Sequence, residues 1–222
     1  MKTISLEESK KIKLFKRFES KYLVDSSDLG YIMNYLSDNY LIVKEDENTL
    51  FDYYSIYFDN SDFDIIKAAN KDDIVRQKIR IREYQNNDKF LEIKEKNHGV
   101  VVKTRIPINS YNIENEKDWI DDNLIYNASK LNRVLRVKYK RLTFISKSKS
   151  NRITIDLNID FYNYLTNKSA KIENYIIIEI KKNKEDNIDF EDYLNSNLIY
   201  KTKFSKYFYG MKETSDNIEF LN

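Results

Sequence analysis

Residues 75–84 read VRQKIRIREY, a stretch in which cations alternate with mainly apolar side chains. Successive side chains of an extended strand point to opposite faces, so the four cations share one face. They are Arg76, Lys78, Arg80 and Arg82. Guanidinium and ammonium groups suit phosphate oxygens, so a row of them predicts a wall that binds a polyanion. The alternative is the ordinary solvated face of a half-buried strand.

Other stretches carry charged faces of the same kind. Three of them repeat a Glu-x-Lys element: Glu19/Lys21, Glu92/Lys94 and Glu179/Lys181. Further sets that share a strand face are Lys103 with Arg105, and Arg152 with Thr154 and Asp156. In RVLRVKYKRLTF the periodicity does not decide which face of the strand is functional. Arg141 and Tyr139 share parity with apolar residues, while other cations lie on the opposite face. One such element alone would indicate only cross-strand charge pairing on a wet surface.

The recurrence of a charged face and an apolar face on about six strands indicates a closed sheet with the charges inside. Burying so many cations in a dry interior is prohibitive, so the lumen must hold water or an anionic ligand. Because cations outnumber carboxylates there, the ligand should be polyanionic, and the few inward carboxylates would bind Mg²⁺ or Mn²⁺. The predicted fold is α+β, a closed antiparallel eight-stranded β-barrel tunnel with flanking helices.

Composition and charge exclude several classes of function. The 222 residues contain 38 Lys and Arg against 36 Asp and Glu, which argues against a uniformly basic nucleic-acid binder. The absence of cysteine and the single histidine, His98, exclude thiolate and multi-histidine metal sites. No stretch approaches the roughly 18 apolar residues of a membrane helix, and the N-terminus lacks the apolar core of a signal peptide. A soluble cytoplasmic protein is predicted.

The period-two pattern predicts eight strands. They lie near 14–24, 51–59, 74–84, 89–96, 99–107, 134–146, 151–160 and 172–182. Helices are predicted near 27–38, 62–69, 115–130, 189–197 and 203–212. Turns at Asn86-Asn87-Asp88 and Asn97-His98-Gly99 predict a meander, because these residue types tolerate left-handed backbone. With no domain boundary in sight, residues 1–222 are predicted to form one domain.

Nine stretches together resemble a known family. They are RFESKYLV at 17–24, YYSIYFDN at 53–60, VRQKIRIREY at 75–84, FLEIKEK at 90–96, VVKTRI at 101–106, VKYKRLTF at 137–144, RITIDLN at 152–158, IIIEIK at 176–181 and KFSKYFYG at 203–210. In their order and spacing the chain resembles the triphosphate tunnel metalloenzymes, the CYTH-like superfamily. Within that group it is similar to the VTC domain of polyphosphate polymerases.

The resemblance implies a role for individual residues. It implies that cations inside the tunnel bind a triphosphate or a phosphate polymer. The implied catalytic residues are Arg80, Arg82, Lys94 and Arg141. Further substrate contacts would come from Lys21, Lys103, Tyr139 and Arg152, and from Lys203, Ser205 and Lys206 near a C-terminal helix at one tunnel mouth. Glu179 is the first candidate for a metal ligand, followed by Glu19 and Glu92, and the metal would be Mn²⁺ or Mg²⁺.

The first strand separates two branches of the resemblance. Many hydrolytic relatives carry a Glu-x-Glu-x-Lys element there, whereas this chain has Arg17-x-Glu19-x-Lys21. That resembles the polymerase branch more than the thiamine triphosphatase, tripolyphosphatase or adenylate cyclase relatives. The implied activity is transfer of the γ-phosphate of ATP to a growing polyphosphate chain. The alternatives are a metal-dependent tripolyphosphatase or nucleoside triphosphatase, and a non-catalytic polyphosphate-binding module.

The expected partners follow from that activity. They are ATP and inorganic polyphosphate or pyrophosphate, without nucleic acid. The chain itself is not expected to insert into a membrane, although a separate membrane partner is compatible with the resemblance.

Overall fold

The computed structural model describes residues 1–12, 17–70, 75–98, 100–183, 186 and 188–216. Several predicted features fall elsewhere. The beginnings of three predicted strands, at 14–16, at 74 and at Gly99, lie outside the described residues, and Gly99 is also a predicted turn residue. The side chain of Arg17, which marks the departure from the hydrolytic relatives, is outside them as well.

The described residues form eleven strands and six α-helices. The strands are β1 (Thr3–Ser5), β2 (Arg17–Asp25), β3 (Tyr40–Lys44), β4 (Phe51–Asp59), β5 (Val75–Tyr84), β6 (Lys89–Asn97), β7 (Val100–Ile108), β8 (Asn132–Ser146), β9 (Asn151–Asn163), β10 (Ser169–Ile172) and β11 (Tyr175–Asn183). The helices are α1 (Leu6–Lys11), α2 (Leu29–Asn39), α3 (Asp64–Asn70), α4 (Lys117–Asn123), α5 (Asp189–Ser196) and α6 (Lys206–Thr214).

All eight predicted strands are formed, with boundaries that differ by a few residues. The predicted helix at 115–130 is broken: α4 ends at Asn123, and the residues on either side form short 3₁₀ turns. The prediction missed α1, β1, β3 and β10, whose short lengths leave too few residues to reveal a period. In addition, β3 follows α2 directly, so no turn residue marks its start.

The chain divides into two compact units. The first comprises Met1–Asp52, Tyr139–Ile159 and Ile172–Phe204, as far as these ranges are described. The second comprises the described parts of Tyr53–Lys138 and Asp160–Lys171, together with the residues from Ser205 onward. The organisation as one tunnel domain stays a prediction.

The first unit contains an antiparallel sheet in the order β2-β11-β9-β8. Strand β3 pairs antiparallel with β8, and β1 adds to β3 in parallel. The apolar face of this sheet forms a core with helices α2 and α5, to which Leu36 and Phe190 contribute fully buried side chains. Burial of one such side chain stabilises the fold by roughly 1.5–3 kcal/mol. The opposite face of the sheet carries the charged residues.

The second unit contains the predicted meander in the order β4-β5-β6-β7. At its first turn Asn87 has a φ of 64°, as the sequence predicts, and the amide of Tyr84 donates to the Asp88 carbonyl at 3.0 Å. The apolar face of the sheet buries Ile79 and Leu91. Helix α4 is tied to that face because the Gln77 side chain donates to the carbonyl of Asn123 at 3.0 Å.

Both units therefore build an antiparallel sheet whose apolar face is covered by helices, which confirms the predicted α+β class. Each row of strands is open within its own unit. Closure of eight strands into a barrel is not seen in either unit among the residues described.

Candidate phosphate-binding faces

The charged face of the second unit is strongly basic. The register of β5, β6 and β7 places eight cations on this face: Arg76, Lys78, Arg80, Arg82, Lys94, Lys96, Lys103 and Arg105. Among the described residues of these three strands, Glu92 is the single carboxylate on the same face. Lys94 lies directly between Lys78 and Lys103 across the strands. Like charges in such a row destabilise a sheet, so an anion bound there would stabilise it.

The buried carboxylate of Glu92 binds two of the cations on this face, Arg80 and Lys103. Its side chain is 1% exposed, and one carboxylate oxygen accepts hydrogen bonds from Nε and Nη2 of Arg80 at 3.0 and 2.8 Å. The other oxygen accepts from Nζ of Lys103 at 2.9 Å. Burial raises the pKa of Glu92, but Arg80, Arg82 and Lys103 together hold it well below its usual range. Both oxygens are therefore engaged, and the predicted metal ligation by Glu92 would require one of these cations to move.

Tyr57 supports the same arginine from the neighbouring strand. Nη1 of Arg80 donates to the Tyr57 hydroxyl oxygen at 3.1 Å, and the guanidinium lies 5.9 Å from the centre of the ring. Burial raises the pKa of this phenol, but Arg80 and Arg82 outweigh burial and lower the pKa to about 8. The guanidinium of Arg80 is thus held by a carboxylate on one side and a phenol on the other, which preorganises it for an anionic ligand.

Helix α6 is fastened beside this arginine by two aromatic residues. The rings of Tyr57 and Tyr207 are stacked, 4.8 Å apart and 4° from parallel. The Tyr207 hydroxyl donates to Oδ2 of Asp59 at 2.7 Å. Asp59 is fully buried and also accepts hydrogen bonds from three backbone amides, those of Asn60, Ile65 and Ile66. Burial raises the pKa of both Asp59 and Tyr207.

The start of α6 places Ser205 among the cations. The Ser205 hydroxyl caps the helix by accepting from the Phe208 amide at 3.4 Å. It also accepts from Nζ of Lys78 at 3.0 Å. Lys206 is the first residue of the helix, so the helix begins three residues later than predicted. The predicted substrate residues Ser205 and Lys206 thus lie in the same unit as Arg80, Arg82, Lys94 and Lys103.

The charged face of the first unit is centred on Glu179. Strand β11 places Glu179 opposite Lys21 on one side and Thr154 on the other. Oε1 of Glu179 is 2.5 Å from Nζ of Lys181, and Oε2 is 3.9 Å from Nζ of Lys21. Lys21 is also 3.2 Å from a carboxylate oxygen of Glu19. Burial raises the pKa of Glu179, but Lys181, Lys21 and Arg141 hold it well below its usual range.

Arg141 and Tyr139 lie on the same unit and resolve the ambiguity of their strand. Nε and Nη2 of Arg141 donate to the two carboxylate oxygens of Asp156 at 2.5 and 2.8 Å. The guanidinium lies 5.3 Å from the centre of the Tyr139 ring, which is buried. Because Asp156 belongs to the charged face of β9 with Thr154, Arg141 and Tyr139 belong to the charged face too.

Two other predicted substrate residues, Arg152 and Lys203, also lie in this unit. Nη2 of Arg152 donates to the Ser9 carbonyl of α1 at 2.8 Å. Lys203 lies on an exposed segment after α5, next to Phe204, whose carbonyl accepts from Nζ of Lys21 at 3.1 Å. The segment is therefore tied to the centre of the face through Lys21.

Carboxylates near Glu179 are suited to a hard divalent ion. Glu19 and Glu179 supply oxygen donors, and the buried hydroxyl of Thr154, opposite Glu179, has no hydrogen-bond partner within the described part of the chain. An orphaned polar group of this kind fits a site that a hydrated ion would complete. The described residues contain no group of three or more acidic or histidine side chains that could hold a metal by themselves. Phosphate oxygens and water would have to supply the other ligands.

Comparison with known proteins decides the family. The model of the VTC domain matches residues 16–214. The chain belongs to the VTC domain family. A search of curated protein sequences finds no significant match. In the described residues of this VTC domain, no helix has the length and apolar character needed to cross a membrane.

Two solved structures share the fold of this VTC domain. One is a candidate adenylyl cyclase from Hippeastrum that is described as having a dominant triphosphatase activity. It is 14% identical with a TM-score of 0.59, over 92% of this chain and 99% of that one. The other is a protein from Pyrococcus horikoshii, 15% identical with a TM-score of 0.53, over 89% of this chain and 100% of that one. The likeness confirms the predicted triphosphate tunnel fold class.

The site of the VTC domain contains residues that the sequence reasoning did not select. In the second unit Tyr57 accepts a hydrogen bond from Arg80, and Tyr207 donates one to Asp59. In the first unit Asp156 accepts from Arg141. A signal for all four was present, because Tyr57 and Asp59 lie in YYSIYFDN, Tyr207 lies in KFSKYFYG, and Asp156 lies in RITIDLN. For Tyr57 and Tyr207 the residue type gave no reason to choose them, since tyrosine is abundant in this chain, with 18 residues.

Proposed function

We propose that this VTC domain is a metal-dependent polyphosphate polymerase that transfers the γ-phosphate of ATP to an inorganic polyphosphate chain. The basic face of the second unit supports the proposal: among the described residues, one face of strands β5–β7 carries eight cations and the single carboxylate Glu92. Such an excess suits a ligand with several closely spaced negative charges. Membership of the VTC domain family supports a substrate of this class.

Phosphoryl transfer needs little covalent help from a protein. Alignment of the reacting groups and neutralisation of the charge on the transferred phosphoryl group supply most of the acceleration. In the proposal Arg80, Arg82, Lys94 and Arg141 provide that charge, with Lys21, Lys103 and the residues around Ser205 binding the rest of the chain. A terminal phosphate is already anionic at neutral pH, so no histidine base is required.

The chain's own carboxylates would hold the metal in this scheme. Glu179 and Glu19 are the proposed ligands, and the Thr154 hydroxyl would hydrogen-bond to a water of the ion. A bound Mn²⁺ or Mg²⁺ supplies further neutralisation of phosphate charge. Lys21 and Lys181 keep Glu179 ionised, which keeps it ready to bind a cation.

Hydrolysis of tripolyphosphate or nucleoside triphosphates is the second candidate. It is favoured by the likeness in fold to the Hippeastrum protein and its described triphosphatase activity. Hydrolysis needs an oriented water, and the carboxylate that many hydrolytic relatives carry on the first strand is replaced by Arg17 in this chain. For that reason the polymerase is preferred.

One experiment separates the candidates. The protein is incubated with ATP and Mn²⁺, and the products are followed by a polyphosphate gel and a free-phosphate assay. Long polymer is the expected result. Free phosphate without polymer would replace the polymerase by the hydrolase. Tight, salt-sensitive binding of polyphosphate with no product over a long incubation would indicate a binding module.

Pyrophosphate is proposed as an alternative acceptor, because it offers the same terminal phosphate as the polymer. A separate membrane partner also stays a proposal. It is tested by asking whether the protein fractionates with membranes from its host and is released by salt.

A further inference from the structure

On the basic face of the second unit, aromatic residues follow the cations beyond Arg82. Tyr84 follows Arg82 on the same face of β5, with Tyr53 opposite it on β4. The rings of Tyr53 and Tyr84 meet edge to face at 5.4 Å, and Tyr84 meets Phe90 in the same way at 5.9 Å. All three side chains are half-buried. A continuous aromatic surface thus adjoins the row of cations.

Arg105 strengthens this surface in an unexpected way. It lies directly opposite Glu92 across the β6–β7 pair, yet Glu92 is occupied by Arg80 and Lys103. The guanidinium of Arg105 lies instead over the Phe90 ring, with its carbon 4.4 Å from the ring centre. Arg105 is exposed and forms no ion pair within the described part of the chain. A planar cation, stacked on a ring and open on its outer side, is a surface on which a nucleobase stacks.

A small cavity opens at the same end. It has a volume of about 190 Å³ and is lined by Phe90 and Pro107, together with polar residues that include Asn87, Asp88 and Asn109. Sites that enclose a whole small-molecule ligand have volumes of about 300–1,000 Å³, so this one suits a single ring system. Amide and carboxylate groups at its edge are hydrogen-bond partners for the polar edge of a base.

We propose that the surface formed by Tyr53, Tyr84, Phe90 and Arg105 binds the base of a nucleoside triphosphate, an inference that rests on the proposed function. Residues on one face of a strand are spaced by about 6.8 Å, so Tyr84 lies about 14 Å along β5 from Arg80. That separation places the base at the aromatic end and the phosphates over Arg82, Arg80 and Lys78. The start of α6, with Ser205 at Lys78, then faces the terminal phosphates.

The test compares two ligands that differ in the base and ribose. Binding of ATP and of inorganic tripolyphosphate is measured by calorimetry without divalent metal, so that no turnover occurs. In Phe90→Ala we expect the dissociation constant for ATP to rise roughly 5- to 100-fold, the effect of losing one stacked base. The constant for tripolyphosphate should change less than two-fold. Phe90→Leu, which keeps apolar bulk, serves if the alanine variant unfolds.

Arg105→Lys is the sharper variant, because it keeps the charge and removes the planar group. It should weaken ATP binding several-fold and leave tripolyphosphate binding unchanged. Tyr31→Ala, at an exposed position on α2, is the control that should affect neither ligand. Equal losses for both ligands would make the surface a phosphate subsite and overturn the inference, as would no loss for ATP. If the unmodified protein binds neither ligand, the proposed function fails and the inference with it.

Discussion

In the first unit Lys21, Lys181 and Arg141 each have a carboxylate partner, whereas in the second unit the described residues of strands β5–β7 place eight cations on one face with one carboxylate. The first face is close to neutral and carries its acids as ion pairs. The second has a large excess of positive charge. Cations that are already paired contribute less to the attraction of an anion than an unbalanced array does.

The difference supports separate tasks for the two faces in the proposed function. The carboxylates around Glu179 are suited to a divalent cation, and the array around Arg80 is suited to phosphate oxygens. Both faces use a buried acid, Asp156 in one unit and Glu92 in the other, to orient an arginine. A buried acid of this kind is costly to leave unpaired, so it fixes the geometry of the cation that it binds.

Removal of Arg82 should have the largest effect on activity. Arg82→Ala deletes a cation from the unbalanced face, and we expect turnover to fall about 10²–10³-fold, the usual loss for one preorganised group. Lys2→Ala is the control, at an exposed cation of the first unit. Steady-state rates with ATP and Mn²⁺ make the comparison. Equal rates in the two variants would contradict the assignment of phosphate binding to the second face.

Neutralising Glu179 should remove the metal response of the first face. We expect Glu179→Gln to lower activity about 10²-fold and to abolish its dependence on Mn²⁺ concentration, because the amide is a poor ligand. Circular dichroism should show that the fold is kept. The matched change Glu7→Gln, on exposed α1, should leave the Mn²⁺ titration unaltered. An unaltered titration for Glu179→Gln would remove this residue from the metal site.

Tyr207→Phe tests the anchor of α6 on the second face. The change leaves buried Asp59 without its side-chain donor, so the free energy of unfolding should fall by about 1–3 kcal/mol. Urea denaturation measures the loss. Tyr200→Phe, at an exposed tyrosine of the first unit, should change stability by less than about 0.5 kcal/mol. If the two variants are equally stable, the Asp59 contact does not hold the helix.

At neutral pH, below the lowered pKa, the smallest effect is expected from the titration of Tyr57. Its pKa is lowered to about 8 from the ordinary 10.0, so between these values the unfolded chain binds more protons than the folded protein. Stability should therefore rise with pH across this window, by at most about 2–3 kcal/mol, and Tyr57→Phe should abolish the rise.

Ultraviolet difference spectra measure the same titration directly. A phenolate signal with a midpoint near pH 8 should be present in the unmodified protein and absent from Tyr57→Phe. Added tripolyphosphate should move the midpoint upward, because a bound anion offsets the field of Arg80 and Arg82. Tyr175→Phe, at an exposed tyrosine, should keep the signal. A midpoint that does not respond to tripolyphosphate would separate Tyr57 from the phosphate face.

The elements around the site were predictable where they are long and regular. Period-two alternation in VRQKIRIREY gives the face of each side chain, and the observed register confirms that Arg80 and Arg82 share one. Strand β3 was missed because its five residues follow a helix without a turn signal. For the strand that contains Arg141, parity did not decide which face is the charged one. The pairing of Arg141 with Asp156 decided it.

By itself the sequence determined which residues carry charge and which share a strand face, because those properties depend on residue type and on local backbone geometry. It also contained the pattern by which the chain resembles the VTC domain. Only the tertiary structure decided how the charges are neutralised. Glu92 belongs to Arg80 and Lys103, Arg105 turns to Phe90, and Tyr207 reaches Asp59 across 148 positions of sequence. Such contacts depend on register and on chain segments far apart in sequence, which no local period encodes.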